Sequence, residues 1–194
     1  MSNKILNRSL LKLARKTGDE LVFKAFEAYK KLMIEEFLSH PVTIELKTGP
    51  GASNISGTLY GSSSNGNLFT FIGFEKGYDP ISPILQVLNQ SKITFVGENK
   101  KRIGVKYRMH IPAPQDVFDV TPMPWASGRS WAKGIEQGIS GLGRFLPKDN
   151  KGRSGGGIQI KNSKTKGLSI KFKNVPYITQ ILNNFRNNLT KIKL

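Results

Sequence analysis

The chain has no cysteine, which removes disulfides, thiolate metal sites and cysteine nucleophiles from consideration. Its two histidines, His40 and His110, lie far apart in sequence and form no ligand pair by spacing. Acids are scarce, 13 against 30 lysines and arginines, giving a net charge of +17. A two-metal nuclease wants a denser acidic cluster than this. Asp116 and Asp119 are three apart in a proline-rich segment, where they can cap a turn or bind a cation weakly; the loop reading is preferred. There is no GxxxxGK[ST] loop, no HExxH and no GxSxG. The triple glycine at 155–157 follows a loop and opens no helix, which argues against a phosphate cradle. No run of about 18 apolar residues exists, so no membrane-spanning helix is expected. The N-terminal segment is basic but lacks the apolar stretch and cleavage site of a secretory signal. The reading is a protein kept inside the cell that makes it, not an enzyme and without a cofactor.

What is present is positive charge, unevenly placed. Residues 1–40 carry eight bases and five acids, residues 41–100 four of each, and residues 101–150 eight and four. Residues 151–194 carry ten bases and no acid. Such a tail faces nucleic acid, another anionic surface or counterions. The apolar fraction of 38% is low for a compact globule. Part of the chain is therefore expected to be extended, or ordered only against partners.

Hydrophobic periodicity predicts three domain-level pieces: an N-terminal basic amphipathic arm (1–18), an α+β core (19–146), and a glycine-rich linker with a basic hairpin and C-terminal helix (147–194). In KILNRSLLKLARK (4–16) the leucines fall on one side of a short helix, which needs a core, a neighbouring subunit or a membrane surface to lie on. Thr17-Gly18 should break it, and Asp19 should cap the next helix. Val22, Phe26, Tyr29, Met33 and Phe37 then recur at helical steps over 20–38, widened by Leu21, Ala25, Ala28 and Leu32. His40-Pro41 ends that helix, with His40 as a C-terminal cap.

Beyond residue 41 the period changes. VTIEL (42–46) alternates as a half-buried strand, a short strand is possible at 55–60, and LFTFIGF (68–74) reads as a strand buried on both faces. Asp79-Pro80 starts a short helix carrying Ile81, Ile84, Leu85 and Leu88. KITFVGE (92–98) and RIGVKYRMHIP (102–112) read as paired strands. The second has one apolar face and one basic face bearing Arg102, Lys106, Arg108 and a solvated His110. Residues 112–124 form a proline-rich link. Near the end, 158–161 and 168–173 alternate as two strands of a cationic hairpin with Lys171 and Lys173 on one face, and Ile178, Ile181, Leu182, Phe185 and Leu189 mark a final amphipathic helix.

The stretch TPMPWASGRSWAKGIEQGISGLGRF (121–145) holds both tryptophans of the chain among several glycines. Trp131, Ile135, Ile139 and Leu142 lie at helical spacing, with Gly134 and Gly138 on an adjacent strip. Glycine weakens a helix by about 1 kcal/mol relative to alanine, so it suits a place where another backbone comes close. Either this helix packs within its own fold, which the glycines favour, or it docks on a neighbour, the reading taken for Trp125, Arg129 and Trp131.

In order and character, the long N-terminal helix, HPVTIEL, the run NISGTLYG…GNLFTFIGF…DPI and PMPWASGRSWAKGIEQGI resemble the tail-completion and head-to-tail joining proteins of long-tailed bacteriophages. The resemblance spans roughly residues 19–145. It implies an α+β fold, a long N-terminal helix packed on a small antiparallel sheet; the basic hairpin and C-terminal helix lie outside the resemblance and read as an extension. It also implies a virion subunit that forms a homo-oligomeric ring at the neck or tail end, assembled in the host cytoplasm. Such a subunit has no cofactor, no metal and no active site. Its partners would be copies of itself, neighbouring neck, tail-terminator or tail proteins, and DNA passing through a channel, with no membrane. Trp125, Arg129, Trp131, Gly134 and Gly138 are then the candidate subunit interface. Arg102, Lys106, Arg108, Lys161, Lys164, Lys166, Lys171 and Lys173 are candidates to face DNA or acidic patches on neighbours. The alternative is a non-specific nucleic-acid-binding protein of a cell or phage.

Overall fold

The computed structural model describes residues 3–60, 66–99, 104–124, 126–138, 144–146, 158–160 and 171–192. The core is organised around one helix, α1 (Asn3–Ser39), which runs 37 residues without a break. The expected stop at Thr17-Gly18 is absent, and with it the boundary between arm and core; Leu11 is already buried. Gly18 has a different task. A Cβ there would lie 2.8 Å from the Tyr107 hydroxyl and 3.0 Å from Val105, so the glycine lets a β-hairpin press directly onto the helix. The contact returns what glycine costs the helix. Asp19, read as a cap, instead accepts the Tyr107 hydroxyl at 2.7 Å and lies 3.7 Å from Arg15.

The inward face of α1 is the one its periodicity marks. Val22, Phe26, Met33 and Phe37 are buried, and α7 (Ile178–Leu189) lies along them. Ile178, Ile181, Leu182, Phe185 and Leu189 all enter the same core, and Phe185 meets Phe26 edge to face at 5.8 Å. Full burial of side chains this size is worth about 1.5–3 kcal/mol each. The C-terminal helix is therefore part of the central body rather than an extension of it.

His40-Pro41 does end α1, but a second helix starts at once. α2 (Pro41–Thr48) opens on Pro41, whose ring fixes a helical φ where no amide is needed. His40 caps it from the N-terminal side, its Nδ1 accepting the Val42 amide at 3.3 Å, and does not cap the C-terminus of α1. The strand expected over VTIEL is thus a helix. Its buried positions are Val42, Thr43, Glu45 and Leu46, one helical face, whereas Ile44, inward in the strand reading, is 38% exposed. LFTFIGF is corrected in the same way. α3 (Leu68–Ile72) is capped by Asn67, whose side chain accepts the Thr70 amide at 3.0 Å, and stops at Gly73 in the left-handed region at φ 90°. Its burial on both sides is as expected, since Leu68, Phe69, Phe71 and Ile72 are all inside.

One carboxylate ties these two helices together. Glu45 is fully buried and accepts the Leu68 amide at 2.6 Å and the Ser56 amide at 2.8 Å. Downstream, Asp79 takes the Ile81 and Ser82 amides, and α4 (Ser82–Asn89) begins two residues later than anticipated, with Pro83 in its first turn.

The expected strand pair is present. β2 (Lys92–Asn99) and β3 (Gly104–His110) are antiparallel, with a register shift between Phe95 and Gly97. The proline-rich stretch after β3 contains a helix, α5 (Pro114–Asp119). Next come β4 (Pro122–Met123), β5 (Ala126–Ser130), which pairs with β4, and α6 (Trp131–Gln137). The late strands do not form a hairpin with each other. β6 (Arg144–Leu146) pairs with β7 (Ile158–Ile160), whereas β8 (Lys171–Phe172) pairs with β1 (Leu59–Tyr60). The class is α+β, mostly helical, with the long helix against a small antiparallel sheet as expected.

Candidate functional site: the cationic face of the β2–β3 hairpin

Alternation on β2 and β3 separates two faces. Ile93, Phe95, Tyr107 and Met109 turn towards α1, where Tyr107 meets Phe23 edge to face at 5.9 Å and the Arg15 guanidinium sits 4.3 Å from the Phe95 ring centre. Burial and the hydrogen bond to Asp19 push the Tyr107 hydroxyl up to about 12, so it remains a donor throughout the neutral range. These contacts fix the hairpin on the helix and thereby fix what its other face presents.

That other face carries Lys92, Thr94, Lys106, Arg108 and His110, all exposed. Lys92 lies directly opposite His110, and Thr94 opposite Arg108. Diagonal neighbours on one face, such as Lys92 and Arg108, sit about 7–8 Å apart, so the cations form a cluster. Lys92, Lys106 and Arg108 are in no salt bridge with any described residue. Lys92 lies diagonal to Arg108, which is two residues from Lys106 on β3, and an anionic partner relieves the repulsion among the three. The face has Lys106 and Arg108 on open strand surface and Lys92 and His110 at the edge of a cleft. It can attract phosphates or carboxylates by charge, with little selectivity among them.

Beside the hairpin is an open cleft of about 770 Å³, lined in part by Glu27, Lys30, Ser91, Lys92, His110 and Asp116. Two of its charged groups, Lys30 and Asp116, are committed to the fold. Lys30 donates to the Asn89 and Ser91 carbonyls at 2.7 and 2.9 Å, at the negative end of α4. Asp116 accepts the Ala113 amide at 2.7 Å, and Asp119 accepts Gln115 at 2.6 Å; both belong to α5 and its cap. No group of three or more His, Asp or Glu side chains suited to a metal ion occurs among the described residues.

The aromatic and glycine candidates are distributed differently from expectation. Trp131 is 1% exposed and meets Phe74 edge to face at 5.8 Å. Its indole fills the chain's own core, so it cannot anchor a neighbour without unfolding. Gly134 is buried in α6. Gly138 is exposed at φ 73° and closes the end of α6 beside Asn174. The two glycines therefore do not form a shared docking strip. α6 packs within its own fold, where the Ile135 carbonyl accepts the Val175 amide at 3.1 Å. Arg129 is exposed on β5, and Trp125 lies outside the described residues.

Among the cationic candidates, Lys106 and Arg108 are brought together. Lys173 is exposed beside β1, its amide donating to Thr58, and Lys171 lies in β8. Arg102, Lys161, Lys164 and Lys166 lie outside the described residues. Lys92 is the member that sequence reasoning missed. Its position opposite His110 depends on the strand register, and the polar end of KITFVGE was the available signal. No protein-family model, no curated protein and no solved structure matches this chain.

Proposed function

We propose that this protein is a virion structural subunit of a tailed bacteriophage. It forms one copy of a ring at the neck or tail junction and acts in tail completion or head-to-tail joining. The observation that carries this reading is the cationic hairpin face, exposed, unpaired and rigidly mounted on α1. A ring subunit lining a DNA path benefits from such a surface, because phosphate attraction is non-specific and does not require a pocket. The same face suits acidic patches on neighbouring neck or tail proteins. The reading draws on the resemblance of residues 19–145 to that family in sequence, two stretches of which, HPVTIEL and LFTFIGF, hold helices and not strands. The proposed work is fitting and holding, without a cofactor or turnover, inside the host cytoplasm and then in the particle. No described helix is long and apolar enough to cross a membrane.

The test is to purify particles and count copies of the chain by quantitative mass spectrometry. A fixed, ring-sized copy number is expected, and absence from particles overturns the proposal. The second reading, a free non-specific nucleic-acid-binding protein, draws on the same cationic face. It predicts tight duplex binding by the isolated chain, with a steep dependence on log salt. Replacing Lys106 and Arg108 together by alanine should then reduce that slope by about 2 while shifting stability by less than about 0.5 kcal/mol.

A further inference from the structure

The ladder between β2 and β3 is not even, and its irregularity decides what the outer face carries. Pairing runs regularly from Lys92 opposite His110 to Phe95 opposite Tyr107. Val96 is then an extra residue, and pairing resumes with Gly97 opposite Lys106 and Glu98 opposite Val105. Directly opposed residues of an antiparallel pair share a side of the sheet. Gly97 therefore stands on the outer side with Lys106. Glu98 goes with Val105 to the side of α1, where a Val105 methyl lies 3.0 Å from the position a Cβ on Gly18 would take. In an unbroken ladder, period-2 alternation would put Glu98 on the outer side with Lys92 and Thr94, diagonal to Lys106. The bulge takes the acid off this face.

The outer positions are thus Lys92, Thr94 and Gly97 on one strand and Lys106, Arg108 and His110 on the other, without an acid or an apolar side chain. Val96, at the bulge, is the one large apolar residue of the two strands that is exposed. Protein partners bury apolar, aromatic-rich centres in which lysine is depleted, and this face offers no such centre. Single-stranded nucleic acid stacks its bases on aromatic side chains, but Phe95 and Tyr107 turn inward to Arg15 and Phe23 of α1. A duplex backbone asks for cations on a polar surface. Lys106 and Arg108 are about 7 Å apart along β3, and Lys92 is about as far from Arg108, so each can take its own phosphate. A Cβ on Gly97 would meet nothing within 4 Å, which leaves the approach to Lys106 open. Glu27 and Asp116 line the cleft at the Lys92 end, so the contact centres on Lys106 and Arg108.

We propose that the outer face of the β2–β3 hairpin binds the phosphate backbone of a nucleic-acid duplex, with Lys92, Arg108 and Lys106 each on a phosphate and the bulge keeping Glu98 out of the contact. This rests on the cationic face of the functional reading above and narrows its partner to a duplex in place of an acidic protein surface. It does not depend on a ring.

The test is fluorescence-anisotropy binding of the full chain to a short DNA duplex between about 50 and 200 mM salt. Replacing Lys92, Lys106 and Arg108 together by alanine should lower the slope of log affinity against log salt by about 2.7. The same replacement at Lys12, Lys16 and Lys24, exposed on α1, removes equal charge elsewhere and should lower it by less than about 1. Gly97→Glu, which has room in the fold, should weaken binding at least about tenfold at low salt, and Glu98→Gln should leave it within about twofold. A single strand of the same sequence should bind at least about tenfold more weakly than the duplex. An RNA duplex should bind within about threefold of the DNA, because only phosphates are contacted. Circular dichroism should be unchanged in every variant. Equal losses from the two triple replacements overturn the proposal, as does Gly97→Glu binding like the parent. So does a single strand held as tightly as the duplex, or strong discrimination between the two duplexes. Particles holding a ring-sized copy number of a chain that fails these tests would leave the virion reading standing and this one fallen. Duplex binding through this face by a chain absent from particles would do the reverse.

Discussion

Residues 41–74 and residues 92–110 carry similar alternating patterns and become different structures. The first contains two short helices, the second a pair of strands. The hairpin has a partner strand a few residues away, and Tyr107 and Phe95 hold its apolar face against α1. In 41–74 the amides are taken locally instead. His40 caps α2, Asn67 caps α3, and Glu45 accepts one amide from each of two further segments. Alternation marks the inner face of the hairpin but misplaces Ile44, which is exposed, and Thr43 and Glu45, which are buried; the destination of the backbone hydrogen bonds decides the element.

The sharpest way to break that difference is Glu45→Ala. It leaves the Leu68 and Ser56 amides without their acceptor in a buried place, and should cost about 3 kcal/mol, read as a lower urea midpoint at unchanged m-value. Glu45→Gln keeps an acceptor and should lose less. On the hairpin side, Gly18→Ala gains helix propensity but pushes a methyl into the Tyr107 hydroxyl. The net expectation is a loss of about 1–2 kcal/mol. Removing that hydroxyl with Tyr107→Phe should make Gly18→Ala less costly, a coupling that a double-mutant cycle measures.

The smallest effect concerns pH. Burial is the main influence lowering the pKa of His40 below its ordinary 6.5, with the Pro176 carbonyl and the charge of Glu36 opposing it. The folded chain thus binds this proton less readily than the unfolded one. Its contribution is fully present above about pH 6.5 and is lost as pH falls through the lower folded value. Denaturation midpoints should therefore decline below pH 6.5, and less so in His40→Asn, which keeps a capping side chain.

Much of this was legible in the chain. The spacing of Val22, Phe26, Met33 and Phe37 located the inner face of α1, and Ile178 to Leu189 located α7. Alternation in VKYRMH separated Lys106 and Arg108 from the buried face. Lys92 was not legible as their neighbour, because cross-strand proximity depends on a register that no single strand encodes. Five-residue runs such as VTIEL satisfy both periods at once. The pairing of β8 with β1 spans more than a hundred residues and has no local signature. For Trp131, a tryptophan beside glycines signals close packing without saying whose surface is packed, and here it is Phe74 of the same chain.

The packing of α7 on α1 has a bearing on biosynthesis. Glu36 receives the Asn184 amide across 148 residues of sequence, so the central body closes only when its last helix has been made. At about 5–20 residues per second, translation leaves α1 waiting for roughly 7–30 s with its future inner face bare. A nascent chain in that interval is a natural client for a chaperone, and stopping translation before residue 178 should yield an aggregating fragment instead of a smaller stable unit.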